Sequence, residues 1–315
     1  MINFALKVAA AFSALSVVTC NAAAIEARNA SRPFYAVAHR CLRTSDIDKA
    51  VDDGANAIET DMTAWTKWYA DHDASGDSEG DTAEEIFNQI VKRKDDNKGI
   101  QFVWLDMKNP DWCGEDSESK ECRIEHLQDM VQKILTPKGI RVMWNFKHVS
   151  EQEDKVPMKH EKAVKDSRAY KVVHKNLTDK EGVCIKGGWD KVKGDWADDA
   201  IKMPSVKRQA YDTGDINLGK NLDEVYPDIE SAVKARGHTI GKVFAWTTNL
   251  DSEEETKKLL DAGIDGVIYG NTEHDYSYMH SSQTVGKALS YITNYMKDGK
   301  KKQKIHLARK NEQPW

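Results

Sequence analysis

The segment Gly54-Ala-Asn-Ala-Ile-Glu-Thr-Asp-Met62 decides the fold of this chain, because it joins a predicted helix to a predicted strand. The helix is predicted over Asp46–Asp53, and Gly54 stands just past it, where a left-handed residue commonly ends a helix. The strand is predicted over Ala57–Met62 and contains two acidic residues two positions apart. The segment is therefore one helix-to-strand unit of an α/β protein.

The same alternation continues along the chain. Short β-branched or aromatic runs predict strands, at Phe34–Ala38, Ala57–Met62, Ile100–Asp106, Ile140–Phe146, Gly182–Ile185, Gln209–Asp212, Lys242–Thr247 and Gly266–Gly270. Longer amphipathic runs predict helices, at Asp46–Asp53, Thr82–Lys94, Ile124–Leu135, Lys159–His174, Asp195–Ile201, Leu222–Arg236, Glu253–Ala262 and Ser282–Lys297. This regular alternation predicts one TIM (β/α)8 barrel domain. A doubly wound open sheet is the alternative, disfavoured because no Gly-x-Gly-x-x-Gly motif follows the first strand.

The composition excludes two classes of protein. The chain has 315 residues, with 46 Lys+Arg against 51 Asp+Glu and a formal net charge of −5. Nine Trp, ten Tyr and seven Phe provide enough core material to exclude a disordered chain. The mildly acidic balance argues against a nucleic-acid partner, which would require a basic excess.

Residues 1–24 have the features of a secretory signal peptide. Lys7 supplies a positive start, Val8–Val18 is apolar, and small residues lead up to Ala24. A membrane anchor is the alternative, but the apolar run is only about half of the roughly 20 residues that a membrane-spanning helix requires. We therefore expect a secreted protein without a transmembrane segment, whose working domain spans residues 25–315.

Removal of the signal peptide would also remove Cys20 and leave an even number of cysteines in an oxidising compartment. Four cysteines allow three connectivities. Cys113 and Cys122 lie in one polar stretch, which favours a local disulfide between them. Cys41 and Cys184 would then form the second pair.

Three carboxylates occur at predicted strand ends, the end of a barrel that holds its chemistry. Glu59 and Asp61 are two positions apart in a strand and share a face, and Asp106 ends the next strand. Carboxylates buried together are costly without a counter-charge. The cluster therefore predicts one Mg²⁺ site, since Mg²⁺ prefers oxygen ligands. The alternative is a salt-bridge layer with Lys108 or Arg40.

Two histidines lie close to these carboxylates in the predicted fold. His39 follows the first strand and His72 follows the second, so both are candidates for acid–base chemistry or attack at phosphorus. Lys108 would share the metal's face and could hold a phosphate oxygen. Together with a metal these residues suit phosphodiester cleavage. The other histidines are assigned structural roles, with His148 the nearest rival.

These residues and their order resemble the sphingomyelinase D/phospholipase D family of spider venoms, some pathogenic bacteria and fungi. The resemblance lies in Arg32-Pro-Phe-Tyr-Ala-Val-Ala-His-Arg40, Gly54-Ala-Asn-Ala-Ile-Glu-Thr-Asp61, His72, Trp104-Leu-Asp-Met-Lys108, Ala245-Trp246-Thr247, Asp261-Ala-Gly-Ile-Asp-Gly266 and Ala308-Arg-Lys-Asn-Glu-Gln-Pro-Trp315. It covers nearly the whole chain after the signal peptide. The runs Asp61-Met-Thr-Ala-Trp65 and Asp71-His-Asp73 resemble the fungal members more than the venom members.

The resemblance implies a barrel whose bottom is plugged by a C-terminal tail, residues 305–315. It also implies an active site with one Mg²⁺ held by Glu59, Asp61 and Asp106, a catalytic pair His39 and His72, and a phosphate and headgroup pocket lined by Lys108, Trp246 and Asn271. Family members remove choline or ethanolamine from sphingolipids and lysolipids. The lipid's own hydroxyl is the expected attacking group, which gives a cyclic phosphate, and hydrolysis by water is the competing outcome. We expect a monomer that meets its lipid at a membrane surface.

The sequence departs from the venom enzymes on the headgroup side. The loop after His72 contains no cysteine, Phe244 replaces a Tyr, and Asn249 replaces an acidic residue. These changes concern substrate preference more than activity. A glycerophosphodiester phosphodiesterase is the first alternative function, although the short gap between Asp61 and His72 leaves no room for that family's inserted subdomain. A secreted barrel that binds lipid without turnover is the second alternative.

Overall fold

A sheet closed into a barrel organises the structure, a computed structural model that describes residues 31–73, 80–96, 99–148, 164–278 and 281–315. Its strands within these ranges are β1 (Arg32–Ala38), β2 (Ala57–Ala64), β3 (Trp68–Ala70), β4 (Phe102–Met107), β5 (Arg141–Lys147), β6 (Glu181–Lys186), β7 (Gln209–Gly214), β8 (Lys242–Thr248), β9 (Gly266–Tyr269) and β10 (Ile305–Leu307). All except β3 and β10 are barrel strands that pair in parallel with their neighbours. Because β1 pairs with both β2 and β9, the sheet closes on itself. The predicted TIM (β/α)8 barrel is confirmed.

Helices connect the barrel strands and cover the outside of the barrel. In the described ranges they are α1 (Thr44–Asp53), α2 (Ala83–Asp95), α3 (Ile124–Met130), α4 (Arg168–Asn176), α5 (Trp189–Ala197), α6 (Leu218–Ala235), α7 (Glu253–Ala262) and α8 (Ser281–Lys297). Helix α3 continues as a π-helical turn over Val131–Leu135 and a 3-10 turn over Thr136–Lys138. None of the helices within these ranges is long and apolar enough to cross a membrane.

Helix α5 lies earlier in the chain than the sequence analysis predicts. The prediction places it over Asp195–Ile201, whereas it begins at Trp189 and ends at Ala197. The buried side chains of Trp189, Val192 and Trp196 form one stripe of this helix, and their burial against the barrel sets its position.

Side-chain caps determine where two other helices begin. Thr82 and Glu85 form a capping box at the start of α2, in which each side chain accepts from the other residue's backbone N–H. The Ser167 hydroxyl accepts from the backbone N–H of Tyr170, so α4 begins just after the serine. The predicted start of this helix at Lys159 lies outside the described residues, and residues 164–166 form a turn before the cap.

Alternate residues of each barrel strand face the interior. Near the amino ends of the strands these residues are apolar and aromatic, and Phe102 contacts both Tyr35 and Phe244 with ring centroids 5.4 and 5.9 Å apart. Trp104 lies one layer higher, 4.9 Å from the Phe244 ring. Most inward residues beyond this layer are polar, with Trp246 and Ile268 as exceptions, so a filled apolar core supports a largely polar pocket at the carboxyl ends of the strands.

Residues 305–315 pack against the amino end of the barrel. Strand β10 pairs in parallel with β1, and Ala308 belongs to the interior cluster. The Tyr35 hydroxyl donates to the carbonyl of Glu312 at 3.0 Å. The Trp315 ring lies 6.4 Å from the Phe102 ring, under the lowest aromatic layer of the interior.

The cysteines follow one of the two predicted pairings. Cys113 and Cys122 form a disulfide, as predicted. Cys41 and Cys184 are both buried and unpaired, so the prediction of a second disulfide between them is wrong. The sheet of the barrel separates the two thiols, because Cys41 packs in the core outside the strands, whereas Cys184 faces the interior.

Candidate active site

A cavity of about 190 Å³ opens at the carboxyl end of the barrel. Every barrel strand, or the loop that follows it, contributes to its wall. The predicted site residues that line the cavity are His39, Glu59, His72, Asp106, Lys108 and Trp246. The fold therefore brings most of the predicted set to one place.

Three buried carboxylates form a cluster on one side of this cavity. Glu59 and Asp61 are two positions apart on β2 and share a face, and Asp61 is the register partner of Asp106 on β4. Each of the three offers an oxygen within 4.8 Å of those of the other two. The cluster could hold a metal ion.

The electrostatics of the cluster fit a hard cation. Burial, and then the nearby Asp61 and Asp106, raise the pKa of Glu59 well above its usual value. Burial, the largest single effect, would also raise the pKa values of the two aspartates, but the nearby positive groups, Lys108 foremost, together outweigh it and both pKa values are lowered. Asp61 Oδ2 has no hydrogen-bond partner among the described residues. A divalent cation would relieve the repulsion at Glu59 and supply a partner for this oxygen.

Lysines neutralise part of the cluster's charge. Lys108 Nζ lies 2.8 Å from Asp61 Oδ1 and 2.7 Å from Asp106 Oδ2. Lys186 Nζ, from β6, lies 3.1 Å from Asp106 Oδ2. The predicted alternative of a salt-bridge layer is thus right for Lys108, whereas Arg40 contacts Glu59 through its backbone N–H at 2.6 Å. Ion pairing and metal binding are compatible at Asp61, because only its Oδ1 contacts Lys108, whereas both oxygens of Asp106 contact Lys186.

His39 is held as a neutral imidazole. Its Nδ1–H donates to the carbonyl oxygen of Asn271 at 2.6 Å, and a carbonyl can only accept, so Nε2 is left for a ligand. Burial lowers the pKa of His39 to about 4. The backbone of Gly270 passes close by at a φ of 148°, and a Cβ there would lie 3.3 Å from the His39 Cβ. Glycine at this position therefore allows the loop to reach the histidine.

His72 reaches the cavity because β3 folds back antiparallel on β2. It lies at the rim, and its Nδ1–H donates to Asp73 Oδ1 at 2.6 Å. The loop is held by backbone contacts, including one from the Asp71 N–H to the carbonyl of Asp61 at 3.1 Å. Nε2 of His72 is thus also the ring nitrogen left for a ligand.

The remaining predicted residues differ in placement. Trp246 lines the cavity, and Lys186 Nζ lies 5.7 Å from its ring centroid. Asn271 does not line it: its side-chain oxygen accepts from the backbone N–H of Glu273, and its carbonyl holds His39. Asn271 is therefore placed to position the histidine rather than to contact a headgroup.

The sequence analysis missed several polar residues of the cavity wall, namely Asn145 on β5, Lys186 on β6 and Asp212 on β7. Two of these residues could have been predicted from the two-residue period of the strands. Cys184 is an inward residue of β6, so Lys186 two positions later shares its face. The same rule leads from the inward Ala210 to Asp212.

Comparisons with known proteins identify relatives for nearly all of the described chain. Residues 29–315 match the family model "Sphingomyelinase D/Phospholipase D". A sphingomyelinase D of Aspergillus flavus is 37% identical over 270 residues, which cover 84% of each chain. A sphingomyelinase D of Uncinocarpus reesii is 33% identical over 297 residues, covering 90% of this chain and 78% of that one.

Proposed function

The chain belongs to the sphingomyelinase D/phospholipase D family of phosphodiester-cleaving enzymes, and we propose that it removes choline or ethanolamine from sphingolipids and lysophospholipids. One observation carries the proposal. His39 and His72 line a single cavity at the carboxyl end of the barrel together with Glu59 and Asp106, and Asp61 completes the cluster of three carboxylates behind its wall. This arrangement places two acid–base groups beside a site for the cation that a phosphodiester needs.

The metal in this proposal is one Mg²⁺, held by Glu59, Asp61 and Asp106. When bound, it would neutralise negative charge that develops on the phosphate oxygens. The all-oxygen donor set favours a hard cation over zinc or copper. Lys108 would hold a phosphate oxygen from the neighbouring face, and the Trp246 ring would cover the headgroup.

The two histidines divide the proton transfers between them. His39 is neutral above a pKa of about 4, so its Nε2 would accept the proton of the attacking lipid hydroxyl. As the new oxygen–phosphorus bond forms, the bond from phosphorus to the headgroup oxygen breaks. His72, held by Asp73, would donate a proton to that oxygen as the general acid and release the headgroup alcohol. The phosphate remains on the lipid as a cyclic diester, and attack by water would give the monoester instead.

A headgroup-release assay with phosphorus NMR tests this function. Sphingomyelin, ceramide phosphoethanolamine and lysophosphatidylcholine are the substrates, and glycerophosphocholine is the comparison. We expect headgroup release and a cyclic phosphate signal from the lipids. Rapid turnover of glycerophosphocholine alone would favour a glycerophosphodiester phosphodiesterase. Unchanged product formation in both His39→Ala and His72→Ala would contradict the catalytic assignment.

Metal dependence is tested by calorimetric titration of Mg²⁺ into the metal-stripped protein. We expect one binding event per chain, and we expect Asp61→Asn to weaken it by about tenfold or more, because it removes a buried charged ligand. Asp73→Asn is the matched control, since it removes a neighbouring carboxylate outside the cluster. Activity that survives exhaustive treatment with EDTA would contradict the Mg²⁺ role.

The rim of the cavity supports action at a membrane surface. The large hydrophobic side chains that are exposed in the described ranges are Trp112, Ile216, Leu250 and Tyr278. Each lies in a loop that follows a barrel strand, after β4, β7, β8 and β9, on the side where the cavity opens. Exposed apolar residues gathered at one face are typical of an interaction site. We infer that these loops dip into the lipid surface that carries the substrate.

Vesicle co-sedimentation tests this inference. We expect Leu250→Ser to reduce binding to sphingomyelin vesicles several-fold and to slow turnover there, while turnover of monomeric lysophosphatidylcholine changes little. Lys207→Ser, an exposed substitution at the opposite end of the barrel, is the matched control. Equal vesicle binding by both variants and the unsubstituted protein would contradict insertion of the rim loops into the lipid surface.

Secretion is the last part of the proposal. The signal-like residues 1–24 lie outside the described residues, and the disulfide between Cys113 and Cys122 supports an oxidising compartment. Mass spectrometry of the protein recovered from culture medium tests it. We expect a chain that begins near residue 25 and behaves as a monomer in light scattering. Retention of residues 1–24 would contradict cleavage.

A further inference from the structure

Asp212 is a buried carboxylate of the cavity wall to which the proposed chemistry gives no role. It lies on β7, is 1% exposed, and lines the same cavity as the acidic cluster without belonging to it. Burial, the largest effect, raises its pKa to about 6. A carboxylate in this position needs a positively charged or hydrogen-bonding partner.

The partners that Asp212 has in the protein leave part of its capacity unused. Its Oδ1 accepts from the Cys184 thiol at 3.3 Å, and burial keeps that thiol neutral by raising its pKa. Its Oδ2 makes no hydrogen bond of normal geometry with the described residues. Asn145, also 1% exposed and on the cavity wall, has an unpartnered Oδ1 in the same part of the structure. Asp212 Oδ2 and Asn145 Oδ1 are thus two buried acceptors on residues of the cavity wall, and neither has a donor of normal hydrogen-bond geometry among the described residues.

The other charged and polar residues nearby fill this need only in part. The Lys186 charge and a hydrogen bond from the Asn145 side chain both lower the pKa of Asp212, against the larger effect of burial. Lys186 Nζ itself contacts both carboxylate oxygens of Asp106, at 3.2 and 3.1 Å. Asn249, in the loop after β8, uses its amide within the rim, where it donates to the carbonyl of Ile216 and accepts from the backbone N–H of Asp251. Within the described residues, Asp212 therefore forms no ion pair of its own, and Asn145 Oδ1 has no donor.

We propose that Asp212 and Asn145 bind the ammonium group of the substrate and select a primary amine over a quaternary one. A primary ammonium carries a positive charge for the carboxylate and three N–H donors for the two unpartnered oxygens. A trimethylammonium group carries the charge but has no N–H, so both acceptors would remain unsatisfied in its complex. This inference rests on the proposed function and narrows its substrate class to ethanolamine lipids.

The test compares ceramide phosphoethanolamine with sphingomyelin in the full-length enzyme, as the ratio of the two kcat/KM values. We expect a ratio of about 10 to 100 in favour of the ethanolamine lipid, because the quaternary headgroup would leave a buried acceptor unsatisfied. Asp212→Asn is expected to bring the ratio towards one, chiefly through loss of ethanolamine turnover. Asp212→Glu is expected to restore much of the preference.

A binding readout separates this role from a structural one. Calorimetry with phosphoethanolamine and phosphocholine is expected to show the same preference, and Asn145→Leu is expected to weaken phosphoethanolamine alone. Lys207→Ser, an exposed substitution at the opposite end of the barrel, is the control, and its ratio is expected to stay within about twofold of the original.

The outcomes distinguish the two proposals. Release of neither headgroup would overturn the proposed function itself. Release of both with a ratio near one, or a ratio that is unchanged in a folded Asp212→Asn variant, would overturn the selection while leaving the function standing.

Discussion

At the scale of single residues, we predict that the environment of His39 sets the pH dependence of the proposed reaction. Its pKa of about 4 lies below the ordinary value of 6.5 because burial disfavours the charged ring. A general base must be unprotonated, so kcat/KM should be retained above this pKa and lost as the pH falls through about 4. A pH–rate profile on a soluble lysolipid checks this, since the acid limb of kcat/KM reports the free enzyme.

A companion variant tests whether the loop at Gly270 positions His39. In Gly270→Ala the added Cβ would meet the His39 Cβ at 3.3 Å in a left-handed backbone conformation. We expect kcat/KM to fall about tenfold or more, as misplaced catalytic groups do. An acid limb at pH 6 to 7 in the unsubstituted enzyme would contradict the assignment of His39 as the base.

The same scale shows which site residues a sequence can predict. Glu59, Asp61 and Asp106 were predictable because the strand period places them at adjacent strand ends. Asp212 follows the same rule but has no charged neighbour two positions away on its strand to mark it. The role of the Asn271 carbonyl was not predictable, since main-chain atoms carry no sequence signal. Its side chain instead suggested a headgroup contact that the cavity does not support.

At the scale of elements, the long segment after β4 depends on its disulfide. Cys113 and Cys122 are nine positions apart, and loop-closure entropy predicts a stabilisation of about 2 to 3 kcal/mol for a loop of this size. The double variant Cys113→Ser/Cys122→Ser should lose this amount in urea unfolding. Reduction of the unsubstituted protein is the companion measurement, because it breaks the same disulfide without any substitution. Cys41→Ser would not serve as a control, since it would bury a hydroxyl. An unchanged unfolding midpoint after reduction would contradict the prediction.

Elements also differ in how well sequence predicts them. The barrel strands lie within two residues of their predicted ends, because each is a short apolar run bounded by polar loops. Helix α5 was misplaced because its apolar stripe is interrupted by charges and by Gly194, so periodicity was weak there. Strands β3 and β10 were not predicted, since three-residue strands exist only through their partners, β2 and β1.

At the scale of the whole molecule, the tail over residues 305–315 contributes to stability but lies far from the chemistry. Trp315 contacts the lowest aromatic layer of the barrel, and Arg141 lies 5.9 Å from its ring. Removing this contact in Trp315→Ala should cost about 2 kcal/mol of unfolding free energy, from lost apolar burial. Urea unfolding measures the loss, and calorimetry should find Mg²⁺ affinity unchanged.

Lys300→Ala, an exposed substitution just before the tail, is the matched control for this measurement. It should leave the unfolding free energy within about 0.5 kcal/mol of the original. A Trp315→Ala variant as stable as this control would show that the contact of Trp315 with the barrel does not contribute to the free energy of unfolding. Loss of Mg²⁺ binding would show instead that the two ends of the barrel are coupled.

Closure of the barrel between β1 and β9 also has a consequence during synthesis. Arg32 contacts the carbonyl of Ile264, 232 positions later, so one edge of β1 has no partner until nearly the whole chain has left the ribosome. Contacts of such separation fold slowly. At about 5 to 20 residues per second, we expect a nascent chain to expose this strand edge for roughly ten seconds or more. This delay would favour the export proposed above, because a chain that has not closed its barrel can still be threaded through a translocation channel.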